Sequence, residues 1–174
     1  VCLNEGCVPS KTFLNSAKVA DYANEAAAFG VKLEGKPVVD QKFVVERKNK
    51  VVKMLVSGIK GQLAANKVVT KKAEAYIEGK DADGYIVRAG EEKFLAKRLL
   101  IATGSAPVVP PITGLKEGIE AGLVLTNREV LDLTEIPEKF VIIGGGVIGL
   151  EMASYFSSVG SKVTVVEMLD KIAG

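Results

Sequence analysis

The chain contains no histidine. Proton transfer near neutral pH must therefore use another side chain or a base from elsewhere, since histidine alone has an unperturbed pKa in that range. It has only two cysteines, Cys2 and Cys7, in 174 residues. Two are far too few for a secreted disulfide scaffold, and a cytosolic or equivalent reducing space suits them better. No apolar run approaches the length of a membrane span. No signal peptide is visible, because the sequence opens inside what reads as a motif. A net charge of +2 gives no electrostatic case for nucleic acid or acidic membranes. With 48% hydrophobic and 25% charged residues of both signs, the composition fits a soluble globular chain of one domain or two small ones.

The order of patterns predicts an α/β chain. "PSKTFLNSAKVADYANEAAAFG" reads as a helix, with Pro9 in the first turn and Gly30 as the stop. Asp40 is the N-cap expected for a long basic helix over 41–67, in which Phe43, Arg47, Val51, Met54, Leu55 and Ile59 recur at three- and four-residue steps. Its lysines read as a solvated face. From Val68 the period shifts towards alternation, and "AEAYIEG", "GYIVRAG" and "EKFLAKRLLIATG" read as strands, with "GKDADG" as a tight turn. The apolar run Leu99–Ala102 is expected to be a strand buried on both faces. "SAPVVPPITGL" reads as a linker, and the segment after it as a short strand and a short helix capped by Thr126.

Gly144, Gly146 and Gly149 spell G-x-G-x-x-G. Alone the spacing is weak. Here it follows an apolar strand (Phe140 to Ile143), opens a helix (Val147 to Val159), and precedes a second strand (Lys162 to Val166) that ends in Glu167. All the context of a dinucleotide-binding fingerprint is present. Gly144 allows the tight turn, Gly146 lets the backbone approach a pyrophosphate at the helix N-terminus, and Gly149 lets helix and strand pack closely. Glu167 suits the ribose hydroxyls and repels a 2′-phosphate, favouring NAD over NADP. A glycine turn in an ordinary βαβ unit is the plainer alternative.

Three readings compete for Cys2 and Cys7. Zinc needs about four ligands and finds too few here, so no metal is expected. A static disulfide would close a tiny loop, stabilise little, and be reduced in the cytosol. In an ideal helix, positions five apart rise about 7.5 Å, so a bridge requires irregular backbone, which Gly6 and Pro9 permit. A redox-active pair fits better. Cys7 stands at a helix start, where the dipole lowers a thiol's pKa, and Lys11 a turn later can help hold a thiolate.

These segments together carry a family resemblance. "CLNEGCVPSK" resembles the redox motif of the flavin-dependent pyridine nucleotide–disulfide oxidoreductases, "ATGSAP" their second flavin-contact motif, and "IIGGGVIGLE…VTVVEMLDKI" their NAD fingerprint. The resemblance spans essentially the whole chain. It implies fragments of two Rossmann-like domains, for FAD and NAD(P), with a small antiparallel β-meander in the first. Residues 1–106 would be the partial FAD-binding domain, 107–113 the linker, and 114–174 the partial NAD-binding domain. Cys2 would be the interchange thiol and Cys7 the charge-transfer thiol of a redox-active disulfide. Lys11 would sit near the flavin, paired with Glu151. Thr103, Gly104 and Ser105 would contact FAD, and Ala75 is the nearest match to a glycine that does so in relatives. Gly144, Gly145, Gly146, Val147, Ile148, Gly149, Leu150 and Glu151, with Glu167, would hold NAD.

Leu3, Ser10–Lys11 and Glu167 look like the branch that oxidises dihydrolipoamide and passes the electrons through FAD to NAD+. That implies as partner the lipoyl group of a 2-oxo acid dehydrogenase or glycine cleavage complex. It also implies a homodimer in the cytoplasm, or in the mitochondrial matrix of a eukaryote. A mercuric reductase-like or other NAD(P)-linked disulfide reductase is the alternative within the family, and a non-catalytic NAD-binding module the alternative outside it. The family's first FAD-binding glycine motif and its catalytic His–Glu pair are not in this sequence, so an internal fragment, inactive alone, is expected.

Overall fold

The computed structural model describes residues 1–173. In chain order its elements are α1 (Cys2–Glu5), α2 (Cys7–Asn24), a 3-10 turn (Ala26–Phe29), α3 (Gln41–Ala65), β1 (Ala75–Lys80), β2 (Tyr85–Ala89), β3 (Glu92–Ala96), α4 (Leu115–Glu120), α5 (Asn127–Val130), β4 (Lys139–Ile143), α6 (Val147–Ser158) and β5 (Lys162–Val166). They form two compact units: Val1–Val56 together with the chain from Pro107 onwards, and Ser57–Ala106.

The first unit is built on α2 and α6, which pack against each other. Phe13 on α2 meets Tyr155 on α6 at 4.6 Å between ring centroids, and Phe156 meets Phe140 of β4 at 4.4 Å. Phe13, Tyr155 and Phe156 are fully buried, and Val44, Val45, Val130, Leu131 and Met152 complete the cluster. Removing one buried aromatic ring from such a core costs about 3–5 kcal/mol, so the cluster fixes the two helices firmly. The phenol of Tyr155 donates to Gln41 Oε1, and Gln41 Nε2 donates to the Leu133 carbonyl at 2.9 Å. Burial pushes the Tyr155 hydroxyl up to about 12. β4 and β5 pair in parallel from Lys139↔Lys162 to Ile143↔Val166 on either side of α6, which is the expected βαβ unit.

Local signals account for several element ends. Asp40 Oδ1 accepts from the Phe43 N–H at 2.9 Å and caps α3. Thr126 and Glu129 form a reciprocal capping box at α5. Gly30, at φ 77°, closes the 3-10 turn that follows α2.

The second unit holds the expected β-meander, with β2 antiparallel to both β1 and β3. At the β1–β2 turn, Asp81 Oδ1 accepts from Asp83 N at 2.9 Å and Gly84 N at 3.0 Å. Glycine is required at position 84, where φ is 148° and a Cβ would lie 2.5 Å from the Ala96 carbonyl oxygen.

Two expectations need correction. The run Leu99–Ala102 is not a strand, and Leu100 and Ile101 are 88% and 65% exposed. A doubly buried strand needs neighbours on both edges, and among the described strands none pairs with it. The short strand expected before Thr126 is absent; α4 and turns occupy that stretch. Cys2 lies in the single helical turn α1, which ends at Gly6.

Candidate functional site

Gly6 separates α1 from α2 and lets the two cysteine-bearing turns sit close. A Cβ there would stand 3.1 Å from Cys2 Cα and 3.3 Å from the Val1 carbonyl oxygen, tighter than backbone neighbours can easily yield. The Gly6 carbonyl accepts from Ser10 N at 3.0 Å and from the buried Ser10 hydroxyl at 2.9 Å. Both cysteines are exposed free thiols on the neighbouring turns α1 and α2.

That neighbour reverses the direction expected for Cys7. The Cys2 thiol beside it holds the Cys7 thiol above its ordinary value, desolvation adds to this, and Lys11 pulls the other way more weakly. The second thiol outweighs the helix start and Lys11 at Cys7.

The cysteines open onto a cleft of about 340 Å³, lined also by Lys11, Leu131, Val147, Ile148, Glu151 and Met152. Lys11 on α2 donates to Glu151 Oε1 on α6, and this bond holds the ammonium above its ordinary value. The expected Lys11–Glu151 pair is thus formed, and it exists because α2 and α6 are locked together by their rings. A largely apolar cleft with a thiol, an ammonium and a carboxylate on its walls fits a flat, redox-active ring such as a flavin.

The glycine turn is built as its spacing implies. Gly144 has φ 108°, which favours glycine. A Cβ on Gly149 would overlap the Gly144 carbonyl oxygen and come 3.2 Å from Ile142 Cγ2, so α6 can pack this closely on β4 only through glycine. A Cβ on Gly146 would meet nothing within 4 Å. Gly146 is the N-cap of α6 with no side-chain cap, so helix N–H groups are left for an anion. Val147 and Ile148 are exposed there, Leu150 is half-buried, and Gly145 donates to Glu167 Oε2 at 2.6 Å. This cradle fits a dinucleotide pyrophosphate.

Glu167 Oε1 also accepts from Met168 N at 2.7 Å and Leu169 N at 2.9 Å. The N–H groups of Leu169, Gly145 and Met168 hold its carboxyl below the usual glutamate range. These donors take three of roughly four lone-pair sites, leaving room for a ribose hydroxyl. A carboxyl depressed on folding adds stability above its unfolded pKa of about 4.3 and loses it as pH falls through the lower folded value. The melting-temperature gap between the protein and its Glu167→Gln variant is therefore expected to be constant above about pH 5 and to close in acid. A gap that stays constant in acid would refute this.

Ala75 opens β1 and is exposed, and Thr103, Gly104 and Ser105 lie outside any helix or strand, with Gly104 at φ 81°. These four belong to the second unit. Residues missed by the sequence reading are Asn127 and Arg128, which bind Glu5 of the cysteine turn from α5. They belong to no motif and lie more than a hundred residues from their partner. Among the described residues no group of three or more His, Cys, Asp or Glu could hold a metal ion, and no helix is long and apolar enough to cross a membrane.

Comparison with known proteins agrees with this geometry. A dihydrolipoyl dehydrogenase of Acholeplasma laidlawii is 45% identical over 172 residues, covering 99% of this chain and 50% of that protein. Those of Mycoplasma pneumoniae and Bacillus subtilis are 37% and 36% identical, over 99% and 98% of this chain and 37% of each protein. The chain thus spans half or less of the length of these relatives. Among solved structures, the Cu(II) complex of the HOCl-induced flavoprotein disulfide reductase RclA from Escherichia coli matches with a TM-score of 0.73 and 29% identity, over 98% of this chain and 34% of that one. Residues 1–173 match the pyridine nucleotide-disulphide oxidoreductase family, whose cofactors are FAD and NAD(H); the chain belongs to that family.

Proposed function

We propose that the enzyme containing this chain is a dihydrolipoyl dehydrogenase, oxidising the dihydrolipoyl group of a 2-oxo acid dehydrogenase or glycine cleavage complex and reducing NAD+. The observation that carries this is the pair of exposed free thiols that line one cleft with the Lys11–Glu151 pair. In the oxidised state Cys2 and Cys7 form a disulfide. A substrate thiolate attacks the Cys2 sulfur, forming a mixed disulfide and releasing Cys7 as thiolate. The second substrate thiolate attacks the substrate sulfur of that mixed disulfide and releases Cys2. The substrate leaves as a disulfide, two electrons poorer, and the protein holds a dithiol. Lys11 balances the charge of the Cys7 thiolate, and Glu151 orients Lys11. FAD would supply the two-electron acceptor when bound, with Lys11 beside it in the first unit; Ala75 and Thr103–Ser105 are assigned as flavin contacts from the family resemblance alone. Gly144–Glu151 and Glu167 hold NAD, the carboxylate selecting against a 2′-phosphate.

Residues 1–106 are assigned to the flavin domain and 114–174 to the nucleotide domain. The substrate protons need a base that this histidine-free chain does not supply, so the 174 residues alone are assigned no turnover. The complete enzyme is placed as a homodimer in a reducing compartment, the cytoplasm in a bacterium.

A second reading is reduction of a thiophilic metal ion, favoured by the vicinal exposed thiols and by the copper complex of the RclA neighbour. The test is a steady-state comparison on the complete enzyme. Dihydrolipoamide with NAD+ is expected to exceed glutathione disulfide with NADPH, and Cu(II) or Hg(II) with NADH, by at least about 100-fold in kcat/KM. A metal ion or glutathione disulfide turned over as well as dihydrolipoamide would overturn the proposal.

A further inference from the structure

Cys2 sits on the least self-sufficient element of the fold. α1 is one turn long, buries no residue and has no side-chain cap. A single helical turn does not hold itself in water, because nucleation costs more than its few bonds return. Its position beside Cys7 therefore depends on ties to other parts of the protein.

Two ties come from α5. Asn127 Nδ2 donates to the Glu5 carbonyl at 3.2 Å, and Arg128 forms an ion pair with Glu5, Nε lying 2.7 Å from Oε2. α5 is a firm anchor. Its N-terminus is locked by the Thr126–Glu129 capping box, and Val130 and Leu131 at its other end are buried in the core. The grip thus runs from the core, through α5, to the turn that carries Cys2.

We propose that Asn127 and Arg128 are positioning residues for the redox pair, gripping Glu5 so that Cys2 stays against Cys7 and the disulfide is favoured over the dithiol. The proposal rests on the reading that this pair cycles. Oxidation by a small disulfide such as glutathione disulfide joins the two sulfurs and passes two electrons and two protons to it, giving two free thiols, and the equilibrium depends on how often Cys2 and Cys7 meet. Loosening the turn lowers that frequency and shifts the pair towards dithiol. It also frees Cys7 from the neighbour that raises its pKa.

The experiment is a redox titration of the Cys2–Cys7 pair against glutathione, read by thiol alkylation, on the complete enzyme. Both partners of the ion pair are about 40% exposed, so the expected effect is moderate. Arg128→Gln shifts the equilibrium towards dithiol by about threefold, and Asn127→Ala with Arg128→Gln by about fivefold, or about 20 mV for this two-electron couple. The charge swap Glu5→Arg with Arg128→Glu restores at least half of the wild-type preference for disulfide. Should Arg128→Gln not fold, Arg128→Lys carries the same test with a smaller shift in the same direction. A wild-type potential in the double variant, or a swap that shifts as far as the single change, would overturn the proposal. A wild-type pair that does not titrate at all would instead sink the functional reading.

Discussion

Serine in place of Cys7 in the complete enzyme is expected to lower dihydrolipoamide turnover by at least about 1,000-fold, and serine in place of Cys2 by a similar factor, because the two sulfurs act as one unit. Neither thiol is buried, so the melting temperature is expected to hold, and loss of activity would not reflect loss of fold. A Cys2→Ala variant gives a second readout. The Cys2 thiol is the largest influence raising Cys7, and Lys11 acts in the opposite direction. Removing Cys2 as alanine leaves Lys11 and the start of α2, so the remaining Cys7 thiolate is expected to form at lower pH than in the dithiol protein. Ultraviolet thiolate absorbance against pH measures this directly. Turnover within tenfold of wild type in either serine variant would show that the electrons do not pass through this pair.

What the sequence disclosed follows the range of each interaction. The glycine turn was legible residue by residue, since the conformation of Gly144, the close packing at Gly149 and the open space at Gly146 are local demands. The caps at Asp40 and Thr126 were legible for the same reason. The Lys11–Glu151 pair spans 140 positions, and only the family likeness suggested it. Glu5 with Asn127 and Arg128 was invisible, because an ordinary surface glutamate, asparagine and arginine carry no pattern until the fold brings them together. Leu99–Ala102 misled for a related reason. An apolar run states what a strand requires, not whether neighbouring strands are there to meet it. The raised Cys7 thiol was not legible either, because only the fold, through Gly6, brings the second thiol alongside the helix start.

Alanine at Gly149 and alanine at Gly146 are expected to fail in different ways, and the contrast isolates the nucleotide cradle. At Gly149 the new methyl would overlap the Gly144 carbonyl oxygen, which is backbone and cannot swing aside. α6 must move off β4, at a cost of about 1–3 kcal/mol, or a few degrees of melting temperature for each kcal/mol. The shift carries the helix N-terminus with it, so NAD affinity should fall at least tenfold as well. Gly146 has ordinary extended backbone, φ −76° and ψ 175°, and nothing within 4 Å of where a Cβ would be. The fold makes no demand for glycine there, so the melting temperature of Gly146→Ala should match wild type. If the pyrophosphate approaches this backbone, the same methyl stands in its path, and NAD affinity should drop by about tenfold or more with stability intact. Calorimetry of NAD binding alongside thermal unfolding of both variants separates the cases. Undiminished NAD affinity in a stable Gly146→Ala protein would mean that the open space serves no ligand, and the dinucleotide assignment of the turn would have to be abandoned.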